Sequence, residues 1–443
     1  MKTTEQIAAE LQGFDPQALR ADQVNAFLGD LVEPVSETGS VAVFDALGRV
    51  LAEDVVSPIS VPPHDNSAMD GYAFAGNQLR PGQSLRLTVV GTAVAGTAWT
   101  GRADAGQCVK IMTGAIMPAG TDTVVPVEFV QSDGADILLP ADVVRGGDNR
   151  RLLGEDLMAG QPALRRGAVL GPAALGLIAS LGLPQVRVFR RLKVAYFSTG
   201  DEILSLGEAP REGAVYDSNR YTVYGMLTRM GIEVLDMGVV PDEPKALEAA
   251  FCQAAEQADA IITSGGVSMG EADHTKAMMK QLGDVAFWRI AMRPGRPMAV
   301  GRISRHVTPD EPPGLGGAVA QNAGSTSAVL FGLPGNPVAV MVTFLAFVRP
   351  ALQRMMGAQV IDPVLLRARS TEALRKKPGR TEYQRGIVSR GDDGCLRVRT
   401  TGNQGSGVLR SMVEANGLIV LHHGQGSVAV GDEVEVMMFD GAL

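Results

Sequence analysis

Histidine is scarce in this chain, with five residues in 443. No Ser-His-Asp order and no HExxH run is evident, so the sequence points away from histidine-centred catalysis. Cys108, Cys252 and Cys395 are scattered without a paired spacing, which excludes a cysteine metal cluster and a disulfide framework. Aromatic residues are only 5%, so the cores must rest on Val, Leu, Ala, Ile and Met. No apolar run approaches about 18 residues, and no membrane span is expected. Lys and Arg total 40 against 48 Asp and Glu, and the net charge of −8 argues against a general nucleic-acid binder. Residues 1–15 carry Glu5, Glu10 and Asp15 among short apolar pairs, unlike a signal peptide. A soluble, cytoplasmic protein is the expectation.

What is present is organised around Thr263-Ser264-Gly265-Gly266-Val267-Ser268-Met269-Gly270-Glu271-Ala272-Asp273-His274. An apolar run, Ala260-Ile261-Ile262, precedes it as a buried strand, and a helical pattern runs on from Asp273 to Leu282. Glycines let a backbone approach a ligand closely, and a helix N-terminus offers free N–H groups to an anion. Glu271 and Asp273 would sit at that positive end, where a carboxylate can also hold a hydrated divalent metal. An ordinary Gly-rich αβ connection is the competing reading.

The length calls for roughly two to four domains. Residues 1–57 and 153–184 read as a helical or linear domain, with helical spacing over Val24–Val32, Val41–Leu51 and Leu170–Leu181. Residues 58–152 read as an inserted β domain of short alternating runs between Gly-rich turns. Its entry, Val61 to Ala73, crowds His64, Asp65, Asn66, Ser67 and Asp70 into one loop; a self-solvating Asx-type turn explains that equally well. Residues 185–360 alternate strand and helix, which implies parallel strands with right-handed crossovers and ligands at the strand C-termini. There lie Ser198-Thr199-Gly200-Asp201-Glu202, Asp242, Gly265-Gly266 and Pro334-Gly335-Asn336-Pro337. Pro350 should end or kink the last helix near Val348. Residues 306–328 lack periodicity and read as a surface loop, and residues 361–443 as a small β-barrel.

Arginine is concentrated against this acidic background. Arg289, Arg293, Arg296, Arg302 and Arg305 fall between Val285 and Pro309 with no Asp or Glu among them. A Pro-Gly turn fixes Arg293 and Arg296, and arginine grips phosphate and similar oxyanions in a fork. Carboxylates at neighbouring strand ends (Asp201, Glu202, Asp242, Glu271, Asp273) beside these arginines suggest Mg²⁺ plus an anionic substrate. Solvated surface faces and helix caps are the plainer alternatives for both groups.

Several loops together resemble the molybdopterin molybdenumtransferase family (MoeA and the E domain of gephyrin). They are Asp65 to Ala73, Ile111 to Ala115, Gly154-Glu155-Asp156, Phe197 to Glu202, Tyr216 to Arg220, Ser264 to Asp273, Gly332 to Pro337 and Gly379 to Gly386. The resemblance implies a multidomain fold: a helical domain, an inserted β domain, a molybdopterin-binding α/β domain and a C-terminal β-barrel. It implies a homodimer whose cleft lies between the α/β domain of one subunit and the β part of the other. The implied reaction is Mg²⁺-dependent insertion of molybdate into adenylylated molybdopterin, releasing AMP. Glu202, Asp242 and Asp273 match acidic cleft positions, with Asp242 and Asp273 as metal ligands, and Asp70 and Thr113 match the partner-subunit side. Ser198, Thr199, Gly200, Gly265, Gly266, Ser268, Pro334, Asn336 and Pro337 would bind the pterin substrate. Arg385 and Ser406 resemble barrel-side oxyanion positions, and Arg289, Arg293 and Arg296 stand where many relatives carry lysine. A molybdopterin adenylyltransferase and a non-catalytic pterin- or peptide-binding scaffold are the rivals. The adenylyltransferase and recipient molybdoenzymes are possible partners; neither nucleic acid nor membrane is.

Overall fold

The longest helical path shows how sequence becomes architecture here. It runs as an α-helix over Pro337–Thr343, a π-helical turn over Phe344–Val348 and an α-helix over Arg349–Met355. Pro350 was expected to end or kink this helix near Val348; the helix does not end there, and its irregularity, the π-helical turn, closes at Val348. A proline ring removes one N–H donor and clashes with the carbonyl four residues earlier. The wider turn accommodates this, with the Arg349 N–H donating to the Phe344 carbonyl, five residues back. By length (19 residues) and mean hydropathy (1.4) the helix could cross a membrane, but 78% of its most apolar window is buried inside the protein. Thr343 and Arg349 interrupt the apolar run, so a count of consecutive apolar residues misses it. Phe344, Phe347, Val348 and Leu352 are each 1% exposed or less. Burying side chains of this size stabilises by roughly 1.5–3 kcal/mol apiece.

The structure, a computed structural model, describes residues 2–267, 274–305 and 327–439. Ser268, Glu271 and Asp273 therefore lie outside the described residues, as does most of the expected loop at 306–328.

The buried helix packs under a six-stranded sheet ordered Glu233–Val240, Lys193–Thr199, Ala260–Ser264, Ser327–Leu333, Pro297–Ser304, Gly283–Arg289. The first four strands are parallel. Pro297–Ser304 runs antiparallel to both of its neighbours, which corrects the expectation of an all-parallel sheet. Only residues 290–296 separate Gly283–Arg289 from Pro297–Ser304, and a parallel return needs a crossover of a dozen or more residues. The helices Thr4–Glu10 and Ala21–Leu31 close the other side of this core, where Phe27 meets Trp288 edge-on at 4.6 Å.

The Val41–Leu51 helix expected from apolar spacing does not form. Thr38–Ala42 is a strand paired antiparallel with Gln185–Phe189, and Val43–Asp45 is a single 3₁₀ turn. Gly48 then takes a left-handed φ of 72°, which a helix cannot continue through. Val55–Val56 pairs with Pro162–Leu164, and the helix Pro172–Ser180 covers a small core of Leu51, Leu170, Ile178 and Val188. The inserted region forms a six-stranded sheet in which Gly71–Phe74 sits between Thr123–Pro126 and Gln107–Ile111. At the C-terminus, Thr381–Arg390, Leu396–Thr400, Leu365–Ser370, Glu433–Met438 and Gly417–Leu421 close into a five-stranded barrel, the last strand pairing back with the first. Met292–Arg293 pairs with Thr381–Glu382, which stitches the barrel to the end of the α/β sheet.

Candidate functional site

That seam borders a cleft of about 1000 Å³ at the C-terminal ends of the parallel strands. Thr199 and Gly200 come from one strand end, Gly265 and Gly266 from its neighbour, and Pro334, Gly335 and Asn336 from the third. The two central glycines are required by geometry. Gly265 has φ 95°, and a Cβ there would lie 2.5 Å from the Thr199 carbonyl oxygen. Gly266 has φ 64°, and its Cβ would lie 2.5 Å from the Thr275 side chain. The floor is thus backbone, open to close approach by a ligand.

Below the floor three hydroxyls are tied up with one another. The hydroxyls of Tyr196, Ser198 and Ser264 form a buried triangle with sides of 2.9, 2.7 and 3.1 Å. Ser198, expected to touch substrate, is 2% exposed within this network and does not line the cleft. Burial raises the Tyr196 phenol well above its ordinary value. Thr199, by contrast, does line the cleft, and its buried Oγ1 has no protein partner. Pro337 opens the buried helix as its first residue, with Asn336 as N-cap. Asn219 Nδ2 donates to the Gly335 carbonyl at 2.7 Å and so pins the Pro334–Asn336 turn.

One wall is acidic, with Glu202 and Asp242 both facing the cleft. Thr275, fully buried on the first turn of the helix His274–Leu282, donates from Oγ1 to Asp242 Oδ1 at 3.1 Å. The opposite rim is basic, carrying Arg293, Arg296 and Arg380. Arg380 is paired with Glu382 at 2.7 Å. Arg293 and Arg296 have no ion pair among the described residues. Gly295 between them has φ 92°, and a Cβ there would stand 2.4 Å from Thr343 Oγ1 of the long helix.

The barrel supplies Gln404, Gly405 and Ser406. The Ser406 carbonyl accepts from Val338 N at 3.1 Å, joining this loop to the helix start. Arg385 is not at the cleft surface. Its side chain is fully buried, and its guanidinium donates to Ser411 Oγ at 3.0 Å and to the carbonyls of Asn403 (3.3 Å) and Gly405 (3.0 Å). Burial, and then the nearby Arg293 charge, push its pKa down to about 10. It holds the loop that lines the cleft, which differs from the oxyanion contact expected of it. Arg289 also stays outside the lining; its backbone N–H and carbonyl bond Pro16 and Leu19.

Asp70 and Thr113 lie in the inserted sheet region and do not line this cleft. They meet each other: Thr113 N and Oγ1 both donate to Asp70 Oδ1 at 2.7 Å. Those two bonds hold the Asp70 carboxyl below the usual carboxylate range, the backbone donor first. Among the described residues no group of three or more His, Cys, Asp or Glu side chains converges as a metal cage. Glu202 and Asp242 nonetheless fit a hydrated Mg²⁺, which needs only one or two carboxylates beside substrate phosphates and water. Sequence reasoning missed Gln404, Asn219 and Thr275 as site residues. Thr275 had a readable signal, a hydroxyl opening a helix after a Gly-rich turn; Gln404 had none.

Family models match in three consecutive pieces: the MoeA N-terminal region (domains I and II) over residues 18–182, a probable molybdopterin-binding domain over 195–354, and the MoeA C-terminal region (domain IV) over 367–439. A molybdopterin molybdenumtransferase of Haemophilus influenzae is 38% identical over 96% of this chain and all of its own length. One from a Nostoc species is 34% identical over 90% of this chain and 88% of its own. The crystal structure of the molybdopterin biosynthesis MoeA protein of Pyrococcus horikoshii superposes with a TM-score of 0.77 at 26% identity, covering 95% of this chain and 100% of that one. With its domain sequence, closed barrel and strand-end cleft, the chain belongs to the molybdopterin molybdenumtransferase (MoeA) family, enzymes of molybdenum cofactor biosynthesis.

Proposed function

We propose that this protein inserts molybdate into adenylylated molybdopterin, with Mg²⁺ as cofactor, and releases AMP. The observation that carries the reading is the single cleft in which Glu202 and Asp242 face Arg293 and Arg296 across a bare glycine floor. The pterin phosphate lies against Gly265-Gly266 and the Pro334–Asn336 turn. Arg293 and Arg296 hold molybdate beside the dithiolene; each offers a planar fork of donors to an oxyanion. Asp242, with Asp273 from outside the described residues, would hold Mg²⁺, which supplies Lewis-acid neutralisation of phosphate charge. As AMP departs, negative charge grows on its phosphate, and the arginine rim stabilises that charge in place. Ser406, at the barrel side of the same cleft, supports orientation of the oxyanion.

Asp70 and Thr113 complete the site from a second copy of the chain in a homodimer. Their absence from the cleft of their own chain, together with their mutual hydrogen bonds, supports that reading. The protein works in the cytoplasm.

The test is AMP release from adenylylated molybdopterin, with and without molybdate, for wild type and Asp242→Asn. Molybdate-dependent release is expected from wild type, and a loss of at least about tenfold from the variant. Equal rates in the two proteins would remove Asp242 from the metal role.

A further inference from the structure

A second cavity, of about 650 Å³, shares no lining residue with the cleft. It lies where the helix Ala21–Leu31, the long helix and the barrel meet. Leu28 and Gly29 come from the first, Leu345, Arg349 and Arg354 from the second, and Tyr383, Val420 and His423 from the third. Its volume falls in the range of small-molecule sites, roughly 300–1000 Å³.

Two polar groups that line it, one on the long helix and one on the barrel, lack protein partners. The guanidinium of Arg349, directly after the π-helical turn, makes no hydrogen bond or ion pair among the described residues, and burial lowers its pKa. His423 has a buried Nδ1 with no hydrogen-bond partner. Arg354 and Arg20 line the same cavity, although Arg20 is paired with Asp22. A part-buried guanidinium without a counter-charge is costly, and a bound oxyanion removes that cost. Leu345, Ala346, Pro350, Leu365 and Val420, with the ring of Tyr383, give the cavity an apolar wall; two carboxylates also line it, Asp22, which is paired with Arg20, and Asp362. Burial pushes the Tyr383 phenol up to about 12, so it stays a neutral donor.

We propose that this cavity is a second binding site for a small organic oxyanion, with Arg349 and His423 on the charged head and the apolar wall against its body. The probe is phenyl phosphate, titrated calorimetrically into the full chain, with inorganic phosphate for comparison. One phenyl phosphate per chain is expected at this site, bound at least about tenfold more tightly than inorganic phosphate, since a ring buries apolar area that bare phosphate lacks. Arg293→Gln should leave this binding in place. Arg349→Gln should weaken it at least about tenfold, and Arg349→Lys should restore part of it. Ala346→Leu narrows the apolar wall without touching charge, and should weaken phenyl phosphate while sparing inorganic phosphate. Thermal melting of each variant confirms that it is folded. The proposal fails if no phenyl phosphate binds, if folded Arg349→Gln binds like wild type, or if binding is lost in Arg293→Gln alone.

Discussion

Thr275 Oγ1 donates to Asp242 Oδ1 across 3.1 Å, from a helix first turn to a strand-end loop 33 residues earlier. The bond fixes one carboxylate oxygen and leaves the other for the cleft. Thr275→Val keeps the shape and removes the donor. A hydrogen bond to a charged group is worth about 1.5–3 kcal/mol. A fall in kcat of roughly tenfold or more is therefore expected, with little change in KM for molybdate. Adding Thr275→Val to Asp242→Asn should cost much less than it does in wild type, because the two residues act as a unit. Fully additive losses would mean that Thr275 acts elsewhere.

The Asp70–Thr113 pair gives a pH prediction. Both Thr113 donors favour the charged carboxylate, so the Asp70 pKa is lower in the folded protein than in the unfolded chain. Stability from this pair is present above the ordinary aspartate pKa and is lost as pH falls through the lowered folded value. A carboxyl-selective NMR titration should find Asp70 below the typical aspartate range, and Thr113→Val should move it upward. An unmoved Asp70 in that variant would show that Thr113 does not set its charge.

Arg385 is expected to behave as a positioning residue. Arg385→Met leaves the Asn403 and Gly405 carbonyls without their buried donor, at a cost of about 1–3 kcal/mol for unsatisfied groups. Both stability and the Gln404–Ser406 wall should suffer, raising KM more than lowering kcat. Arg385→Lys keeps the charge but lacks the fork, and should recover stability only in part. A direct oxyanion contact predicts the reverse: intact melting behaviour and lost molybdate affinity.

The strand-end loops were legible in the sequence because their chemistry is local. Gly265-Gly266, Glu202, Asp242, Arg293 and Arg296 each sit in a turn whose residues demand that turn, and all line one cleft. Arg385 and Ser198 lie buried below the cleft rather than on its lining, and for a common reason. Both adjoin the cleft in sequence, and sequence does not say which side of a strand end is buried. The Val41–Leu51 helix failed because valines at helical spacing also suit a strand, and pairing with Gln185–Phe189, far along the chain, decided the matter (Val41 faces Val186). The sheet reversal at Pro297–Ser304 was readable from the short connection before it.

The π-helical turn over Phe344–Val348 acts as a phase setting. In a regular helix each residue advances the azimuth by about 100°. A helix lengthened by one residue within a turn therefore presents everything downstream at a rotated angle. Upstream, Ala339 borders the cleft; downstream, Arg349 and Arg354 border the second cavity. Deleting Ala346 would turn Arg349–Met355 about its own axis and swing Arg349 off its wall, while Pro337 and Ala339 stayed in place. The angular offset between the two cavities is thus written in a single extra residue, next to the proline that a regular helix could not have housed.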